Sequence, residues 1–324
     1  MNRDLKFPEK IRRAFRYPID EVWRKILLPH QRPYARAVFG VLAAGVVLFG
    51  VRIEQSNGNP RIFFFDIGQG NAALVQRGDF QMLVDGGPSG VVVQKLGEVM
   101  PFYDRTVEIM VLTHPHADHV TGLVDVLKRF KVERVISSGV VHTSDEYLAW
   151  LEAIKDNDIT LETPIRGEVI DLWKGETGVP DGTFEILWPK EKLSGRRIQD
   201  TSVEGKGGLN DTSVVGRLVY GDTKFMLTGD ISEDVEKQLI ADSSPLAADV
   251  LQTAHHGSKF STSEVFLRAV KPAHAVIQVG KKNRYGHPAF KVIRRLEKHG
   301  IEVHRNDKDG DVVFESDGKI VSRE

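Results

Sequence analysis

The hexapeptide HPHADH, at residues 114–119, constrains this chain more than any other stretch of its sequence. It places three of the chain's eleven histidines and an aspartate within one turn. An apolar pattern typical of a buried strand precedes it at 108–112, and the apolar spacing predicts a helix over 120–130. Side chains of a tight loop between a strand and a helix can converge on one point. Neutral imidazoles and a carboxylate gathered there suit Zn²⁺, Mn²⁺ or iron.

The spacing within the hexapeptide indicates two neighbouring metal positions. His114 and His116 are two residues apart and can share one metal, whereas Asp118 and His119 open the next helix and point to a second position. Two metal ions close together would bridge a hydroxide and lower its pKa towards about 7. The chain has no cysteine, which excludes thiolate ligands and disulfides. A solvated polar loop with coincidental histidines is the competing interpretation, and the spacing argues against it.

Apolar patterns in the rest of the chain predict short strands that alternate with amphipathic helices. The predicted strands are 61–67, 72–76, 80–84, 108–112, 132–136, 214–220, 224–227, 250–253, 273–279, one near Val303, and 312–315. The predicted helices are 120–130, 143–155, 261–270 and 288–299. Hairpin-built sheets mixed with helices indicate an α/β (α+β) fold in which helices flank two packed sheets. We expect residues 54–324 to form one domain, with a polar surface insertion at 190–210.

The first 52 residues differ in charge from the rest of the chain. They carry eleven Lys and Arg against four Asp and Glu, whereas residues 53–324 carry a net charge of −8. An uncharged run of fifteen residues, 37–51, lies between Arg36 and Arg52. With its neighbours it approaches the roughly 20 residues that a bilayer requires, and a buried soluble helix is the alternative. We predict a basic segment at 1–34 and an uncleaved transmembrane signal anchor at 35–53, with the N-terminus cytoplasmic and residues 54–324 outside the cytoplasm.

Five further motifs accompany the hexapeptide, and together the six carry a resemblance. They are FDIGQGNAALVQ (65–76), LVDGG (83–87), TGD (228–230), HHGS (255–258) and VGKKNRYGHP (279–288). In this order they resemble the metallo-β-lactamase superfamily and, within it, the hydrolase domain of ComEC-type competence proteins. The resemblance covers residues 61–315. It implies an αββα four-layer sandwich with the metal site at one edge, between the sheets.

The resemblance also implies two divalent metal ions, Zn²⁺ or Mn²⁺, and a set of ligands for them. It places His114, His116 and His255 on the first metal and Asp118, His119 and His287 on the second, with Asp230 bridging. The residues alone leave alternatives open, because Asp230 can cap a helix and His287 can simply precede a helix that begins at Pro288. Either His255 or His256 can be the ligand. We take His255, and we assign His256 with Asp118 to catalysis, although an orienting role for His256 is equally compatible.

Several residues near the predicted metal site are candidates for contacting a substrate. Asn210 and Ser213 of the motif NDTS can donate to a substrate or cap a turn, and Ser258 belongs to HHGS. Nine Lys and Arg against one Glu fall within 268–298. Among them we select three for phosphate contact, Lys281, Lys282 and Arg284.

Other features are expected to be structural. The stretch IGQGN lacks the third glycine and the following helix of a dinucleotide fingerprint, so we expect a tight turn near the metal edge. Asn71 stands in this turn where ComEC-type domains have an acidic residue. Four histidines have no motif context and are expected to be structural or exposed: His142, His274, His299 and His304.

These expectations together indicate a membrane-anchored hydrolase of phosphodiesters, with metal-bound hydroxide as the nucleophile and Asp118 positioning it. The expected partner is a phosphoester substrate, single-stranded DNA being the first candidate. A cell-envelope or small-molecule phosphoester is one alternative. Another is a metal-binding scaffold subunit that works with a separate membrane channel protein, because the competence proteins carry a multi-helix channel and we expect one span here. A β-lactam is not the expected substrate.

Overall fold

A computed structural model of the chain describes residues 58–174, 180–198 and 208–324. The predicted basic segment and membrane anchor lie outside these residues. Within the described part of the chain, none of the helices combines the length and the apolar character that a membrane crossing needs.

The first sheet has eight strands, in the order β15-β14-β1-β2-β3-β4-β5-β6. Their bounds are β1 Arg61–Phe64, β2 Ala73–Arg77, β3 Phe80–Val84, β4 Thr106–Leu112, β5 Lys131–Ser137, β6 Thr160–Glu162, β14 Val312–Ser316 and β15 Val321–Arg323. Strands β3 to β6 run parallel, and helices α1 (Val91–Val99), α2 (Ala117–Leu127) and α3 (Asp145–Asp156) follow β3, β4 and β5. Parallel neighbours need such crossovers, which explains why strands and helices alternate in this part of the chain.

The second sheet has seven strands, in the order β13-β12-β11-β10-β9-β8-β7. Their bounds are β7 Val169–Lys174, β8 Pro180–Trp188, β9 Val215–Tyr220, β10 Thr223–Leu227, β11 Val250–Gln252, β12 His274–Ile277 and β13 Glu302–Arg305. The helices of this half are α4 Glu233–Ala241, α5 Glu264–Val270, α6 Phe290–Lys298 and the short α7 Asn306–Asp309. Strands β10 to β13 are parallel, so β10, β11 and β12 all end at the same edge of the sheet.

Three apolar clusters separate the layers. Alternate residues of a strand point to opposite faces, so Ile62 and Phe64 pack between the sheets while Phe63 packs under the helices of the first sheet. On the far side, Leu251 and Ile277 pack beneath the helices of the second sheet. The predicted arrangement of two packed sheets flanked by helices is therefore confirmed.

Three helices, the third being the four-residue α7, and several strands were not predicted. Helix α1 begins with three valines, VVVQKLGEV, and β-branched residues in a row hide the helical period. Helix α4 buries few apolar side chains, chiefly Val235 and Leu239, in a polar sequence. The hairpin of β7 and β8 and the edge strands β6 and β15 were also missed. The predicted insertion at 190–210 is described in part, and Leu193 and Leu209 are buried with Val140 in a small cluster of their own.

Some predicted boundaries were wrong in ways that affect the site. Strand β1 ends at Phe64 instead of residue 67, because the chain turns towards the metal loop there. Helix α2 begins at Ala117, three residues earlier than predicted. Asp118 and His119 consequently lie in its first turn, where the helix backbone fixes their direction.

Candidate metal centre

The predicted ligands meet where loops leave the carboxyl ends of three strands. The loop after β4 supplies His114 and His116, and the first turn of α2 supplies Asp118 and His119. Asp230 follows β10, and His255 and His256 follow β11. Together these seven residues are named the Asp230 cluster below.

Asp230 occupies the middle of this cluster. Its Oδ2 atom lies within 4.0 Å of the Nε2 atoms of four histidines: His119 at 3.4 Å, His256 at 3.6 Å, His255 at 3.9 Å and His114 at 4.0 Å. A carboxylate in this position has the geometry of a bridging ligand between two cations. Its predicted bridging role fits this placement, whereas Ser232, two residues later, is the residue that caps α4.

Two groups of ligand atoms can be distinguished around Asp230. In the first, His114 Nε2 lies 3.0 Å from His116 Nδ1. In the second, His256 Nε2 lies 3.2 Å from Asp118 Oδ2, and His119 Nε2 lies 4.0 Å from Asp118 Oδ1. The ligand atoms of Asp118, His119 and His256 all lie within 4.8 Å of one another, as do those of His114, His119 and Asp230.

His287, which was predicted to complete the second group, lies further out. Its ring centroid is 5.6 Å from that of His255, 6.3 Å from that of His256 and 5.9 Å from that of Tyr285. The side chain that lies beside Asp118 is that of His256. The geometry thus favours His256 over His287 at the second position. Ligation by each residue stays a prediction.

Two buried atoms of the cluster test whether a cation fits there. Among the described residues, His119 Nε2 and Asp230 Oδ1 have no hydrogen-bond partner. A buried polar atom without a partner costs roughly 1–3 kcal/mol, so a native structure seldom leaves two in contact. Imidazole nitrogens and carboxylate oxygens without sulfur are a ligand set that suits Zn²⁺ or Mn²⁺. The residues therefore fit a divalent cation.

Asp85 holds His119 from behind. Its Oδ2 accepts a hydrogen bond of 2.7 Å from His119 Nδ1, while Thr113 donates to both Asp85 oxygens through its backbone N–H and its hydroxyl, each at 2.8 Å. With Nδ1 donating to Asp85, Nε2 of His119 faces Asp230 and Asp118. Carboxylates in this position orient metal-binding histidines and increase their basicity. The sequence analysis did not assign Asp85 a role, although it is the aspartate of the LVDGG motif and directly follows β3.

Neighbouring polar groups orient the other histidines as well. Nδ1 of His114 lies 3.1 Å from the Thr113 hydroxyl and 3.3 Å from the Ser213 hydroxyl, and Nδ1 of His256 donates to the Gln278 carbonyl at 2.9 Å. Ser213 is fully buried and its hydroxyl accepts from the Asp230 backbone N–H at 3.1 Å. Its hydroxyl donates to the Asn210 carbonyl at 2.7 Å, so of the two alternatives for Ser213 the structure favours the one in which it caps a turn.

The backbone around the cluster is itself unusual. Three consecutive residues, His255, His256 and Gly257, have φ values of 52°, 56° and 77°. These values lie in the left-handed region, which residues other than glycine rarely adopt. Such strain persists where the surrounding structure enforces it, commonly at functional sites. A side chain at Gly70 would place its Cβ 2.2 Å from the Asp118 carbonyl oxygen. Residues 68–71 therefore pack directly against the metal loop, and the predicted tight turn near the metal edge is confirmed.

Electrostatics in the absence of a cation follow from burial and close carboxylates. Burial lowers the pKa of His119, but the charges of Asp230, Asp85 and Asp118 outweigh it and hold that pKa well above its usual value. Burial raises the pKa of Asp230, but the His119, His256 and His255 charges outweigh it and hold it well below. The pKa of His256 is raised too, because Asp230 and Asp118 outweigh burial. The carboxylates thus favour positive charge at His119 and His256, beside the same oxygens that a cation would contact.

The cluster forms the floor of an open cavity of about 620 Å³. Predicted substrate residues Asn210 and Ser258 line this cavity, as do His287 and Tyr285. Burial, with the charges of His256 and His255, lowers the pKa of His287 to about 4, so this imidazole is neutral at the mouth of the cavity.

The three predicted phosphate contacts lie elsewhere. Lys281, Lys282 and Arg284 are exposed in the loop after β12 and are not among the residues that line the cavity. The basic residue that does line it is Lys259, next to Ser258, which the sequence analysis did not select. Lys259 directly follows the HHGS motif, and this position could have identified it as a residue of the site.

Comparison with known proteins identifies the family. Residues 65–281 match the family model described as the metallo-beta-lactamase superfamily, and the chain belongs to this superfamily. It is 30% identical over 277 residues to ComE operon protein 3 of Bacillus subtilis (strain 168), a match that covers 79% of this chain and 33% of that protein. It is 29% identical over 297 residues to competence protein ComA of Neisseria gonorrhoeae, covering 89% of this chain and 37% of that protein.

These relatives are longer proteins, because the chain spans only about a third of the length of each. Among solved structures, a novel metallo hydrolase, Igni18 from Ignicoccus hospitalis, matches with a TM-score of 0.50 and 13% identity over 80% of this chain and 100% of that chain. That likeness shows the fold. The resemblance to competence proteins deduced from the motifs is confirmed.

Proposed function

We propose that this chain is a metal-dependent hydrolase of phosphodiester bonds and that it acts as a nuclease on single-stranded DNA. The observation that carries the proposal is the pair of ligand groups that share His119 and lie around Asp230, beside an open cavity. Two divalent cations at such a centre supply acidified water and stabilise negative charge on phosphoryl oxygens. A phosphodiester develops that charge when it is cleaved.

The chain's own residues divide the work of such a reaction. Asp230 and the histidines around it hold the centre in place, and Asp118 presents a half-exposed carboxylate to the cavity where it can orient the attacking water. Asn210 and Ser258 line the cavity and can hydrogen-bond to the substrate. Lys259, which lines the same wall, is placed to contact a phosphate oxygen.

Support for a nucleic acid comes from the rim of the cavity and from the relatives. Tyr285 is 71% exposed and lines the cavity next to Arg284, and Phe290, which begins α6, is 77% exposed. Exposed aromatic rings beside basic side chains are the pattern with which proteins bind single strands, through base stacking and phosphate contact. One of the relatives, ComA of Neisseria gonorrhoeae, is named a competence protein, which supports a role in DNA uptake.

Cleavage of labelled single-stranded DNA tests this proposal. Wild-type protein and Asp118→Ala are incubated with Mn²⁺, Zn²⁺ or a chelator. We expect cleavage by the wild type alone and its abolition by the chelator. Absence of cleavage of DNA, RNA and simple diesters under every metal condition would exclude the proposal.

A small phosphoester is a second candidate substrate, and the position of the basic loop favours it. Because Lys281, Lys282 and Arg284 do not line the cavity, the cavity by itself suits a compact ligand of the size that pockets of a few hundred Å³ enclose. Cleavage of a small diester or an envelope phosphoester, with single-stranded DNA left intact, would select this candidate.

A scaffold role with a separate membrane channel is the third candidate. It rests on the similarity of the chain to competence protein ComA of Neisseria gonorrhoeae. The near-complete ligand set argues against it, because a scaffold does not need two organised cation positions. Co-purification of a membrane partner with a protein that cleaves no phosphoester would support it.

We also propose that residues 35–53 anchor the chain in a membrane with the hydrolase domain outside the cytoplasm. The basis is the uncharged run at 37–51 with ten basic residues before it. Carbonate extraction of membranes tests the anchor, since release of the intact chain into the supernatant would contradict it.

A further inference from the structure

A second group of potential metal ligands lies away from the Asp230 cluster. It consists of His274, which begins β12, and Glu302 and His304 of the edge strand β13. We call it the β12–β13 cluster. The loop that carries His287 leaves the opposite end of β12, so the two clusters lie at opposite ends of this strand.

Strand register brings these three side chains onto one face. His274 pairs with Glu302 across the parallel strands, and His304 follows Glu302 by two residues. Residues two apart on a strand share a face, and directly paired residues on neighbouring strands do as well. The convergence is therefore a consequence of the backbone and does not depend on a flexible loop.

Two of the three distances within the β12–β13 cluster match the spacing of ligands around a tetrahedral cation. Nδ1 of His274 lies 3.2 Å from Nε2 of His304 and 3.3 Å from Oε2 of Glu302, and His304 Nε2 lies 3.8 Å from Glu302 Oε1. Ligands bound tetrahedrally at about 2.0–2.1 Å from Zn²⁺ lie about 3.3 Å apart. We propose that His274, Glu302 and His304 bind a divalent transition-metal cation, Zn²⁺ above all, with the fourth position open to solvent.

The surroundings support a structural role. The rings of His274 and His304 both pack on Phe314 of β14, with centroids 5.3 Å and 5.5 Å away, which limits their rotation. The side chain of His304 is 1% exposed and that of Glu302 is 63% exposed, so the site opens to solvent at the carboxylate. A cation here joins the edge strand β13 to β12. The alternative explanation of the 3.2 Å distance between His274 Nδ1 and His304 Nε2 is a hydrogen bond between the two imidazoles, without a cation.

Zinc content tests the proposal on the full chain, with Zn²⁺ itself as the probe. Metal-stripped wild type, His274→Ala, Glu302→Gln and His299→Ala are dialysed against the same free Zn²⁺ concentration and their bound zinc is counted. His299 is the matched control, because its side chain is 23% exposed against 21% for His274 and contacts Glu264 instead of the cluster. We expect the wild type and His299→Ala to hold one more zinc per chain than His274→Ala and Glu302→Gln.

The result does not depend on hydrolase activity. In protein that also carries Asp230→Asn, His274→Ala should still reduce the bound zinc by one per chain. When Co²⁺ replaces Zn²⁺, the protein should show the absorption of a tetrahedral Co²⁺ site, and Glu302→Gln should remove that absorption. Glu302→Gln keeps the size of an exposed side chain, so loss of zinc in that variant reports ligation and not unfolding. Equal zinc in all four proteins would overturn the proposal.

Discussion

The Asp230 cluster and the β12–β13 cluster lie towards opposite ends of β12. They bring similar side chains together and differ in what surrounds them. Around Asp230, neighbouring polar groups orient the buried histidines, as Asp85 orients His119, and five of the seven residues line a cavity of about 620 Å³. The β12–β13 cluster has the same kinds of donor at tetrahedral spacing, but its histidines are held by Phe314 and it opens at an exposed glutamate. Ligand spacing alone indicates binding, whereas oriented ligands that face a cavity indicate chemistry.

Replacing Asp230 should separate the two clusters most sharply. Asp230→Asn removes the carboxylate that lies within 4.0 Å of four histidines, so hydrolysis of a small diester should fall by more than the roughly 10- to 100-fold that loss of an outer ligand partner causes. His274→Ala should leave the rate unchanged. Asp234→Asn, an exposed aspartate of α4, is the control for the substitution itself. A comparable loss of rate in His274→Ala would break the distinction between the clusters.

Asp85→Asn should have the next largest effect. An amide cannot accept from Thr113 and His119 with both of its polar atoms, so His119 loses its orientation and the metal affinity of the Asp230 cluster should fall about 10- to 100-fold. Activity measured against metal concentration reports this as a shift to higher metal with the maximal rate largely recovered. Zinc bound by the β12–β13 cluster should not change. An unaltered metal dependence would show that Asp85 does not position His119.

Metal binding at the Asp230 cluster should strengthen as pH rises. The pKa values of His119 and His256 are raised in the cation-free protein. Each imidazole therefore keeps its proton until the pH passes that raised value, and the stability that its ion pairs add is lost above it. A cation must displace these protons, which gives about a tenfold gain in apparent affinity per pH unit for each proton lost below that pH. Titrations with Zn²⁺ at several pH values measure the slope. An affinity independent of pH would contradict the protonated state of the cation-free cluster.

The smallest effect concerns the basic residues of the rim. Lys259 lines the cavity, so Lys259→Ala should raise KM for a phosphodiester about two- to fivefold, the range expected of an exposed charge contact. Lys281→Ala removes a charge from the loop outside the cavity and should change KM for a small diester less. On long single-stranded DNA the order should reverse if the loop contacts the strand. An equal change in KM for the small diester in both variants would contradict a contact between Lys259 and the substrate.

The predictability of the two clusters from sequence differs for a physical reason. His114, His116, Asp118 and His119 are contiguous, and a strand followed by a helix made their convergence predictable. The choice among His255, His256 and His287 depended on how the left-handed turn at His255 and His256 directs each ring, and no apolar pattern encodes that direction. Asp85 is distant in sequence from His119 and became recognisable only when β3 and β4 paired.

The β12–β13 cluster could not be predicted at all. Helix α6 separates His274 from Glu302 and His304 in the sequence. His274 and His304 were expected to be structural or exposed, and their contact with each other was not predicted. They meet because His274 pairs with Glu302 in the sheet register. The fold was more accessible, since the strand and helix periods mark most elements. It was missed where valines begin α1 and where polar residues dominate α4.

Anomalous X-ray diffraction from crystals of the Zn²⁺- or Mn²⁺-loaded protein would locate the cations directly. We predict two peaks about 3.5–4 Å apart on either side of Asp230, the separation typical of two-metal hydrolases, with His256 beside Asp118 at the second peak. A single peak at the Asp230 cluster, or peaks there bound by His287 and not by Asp230, would contradict the two-cation centre.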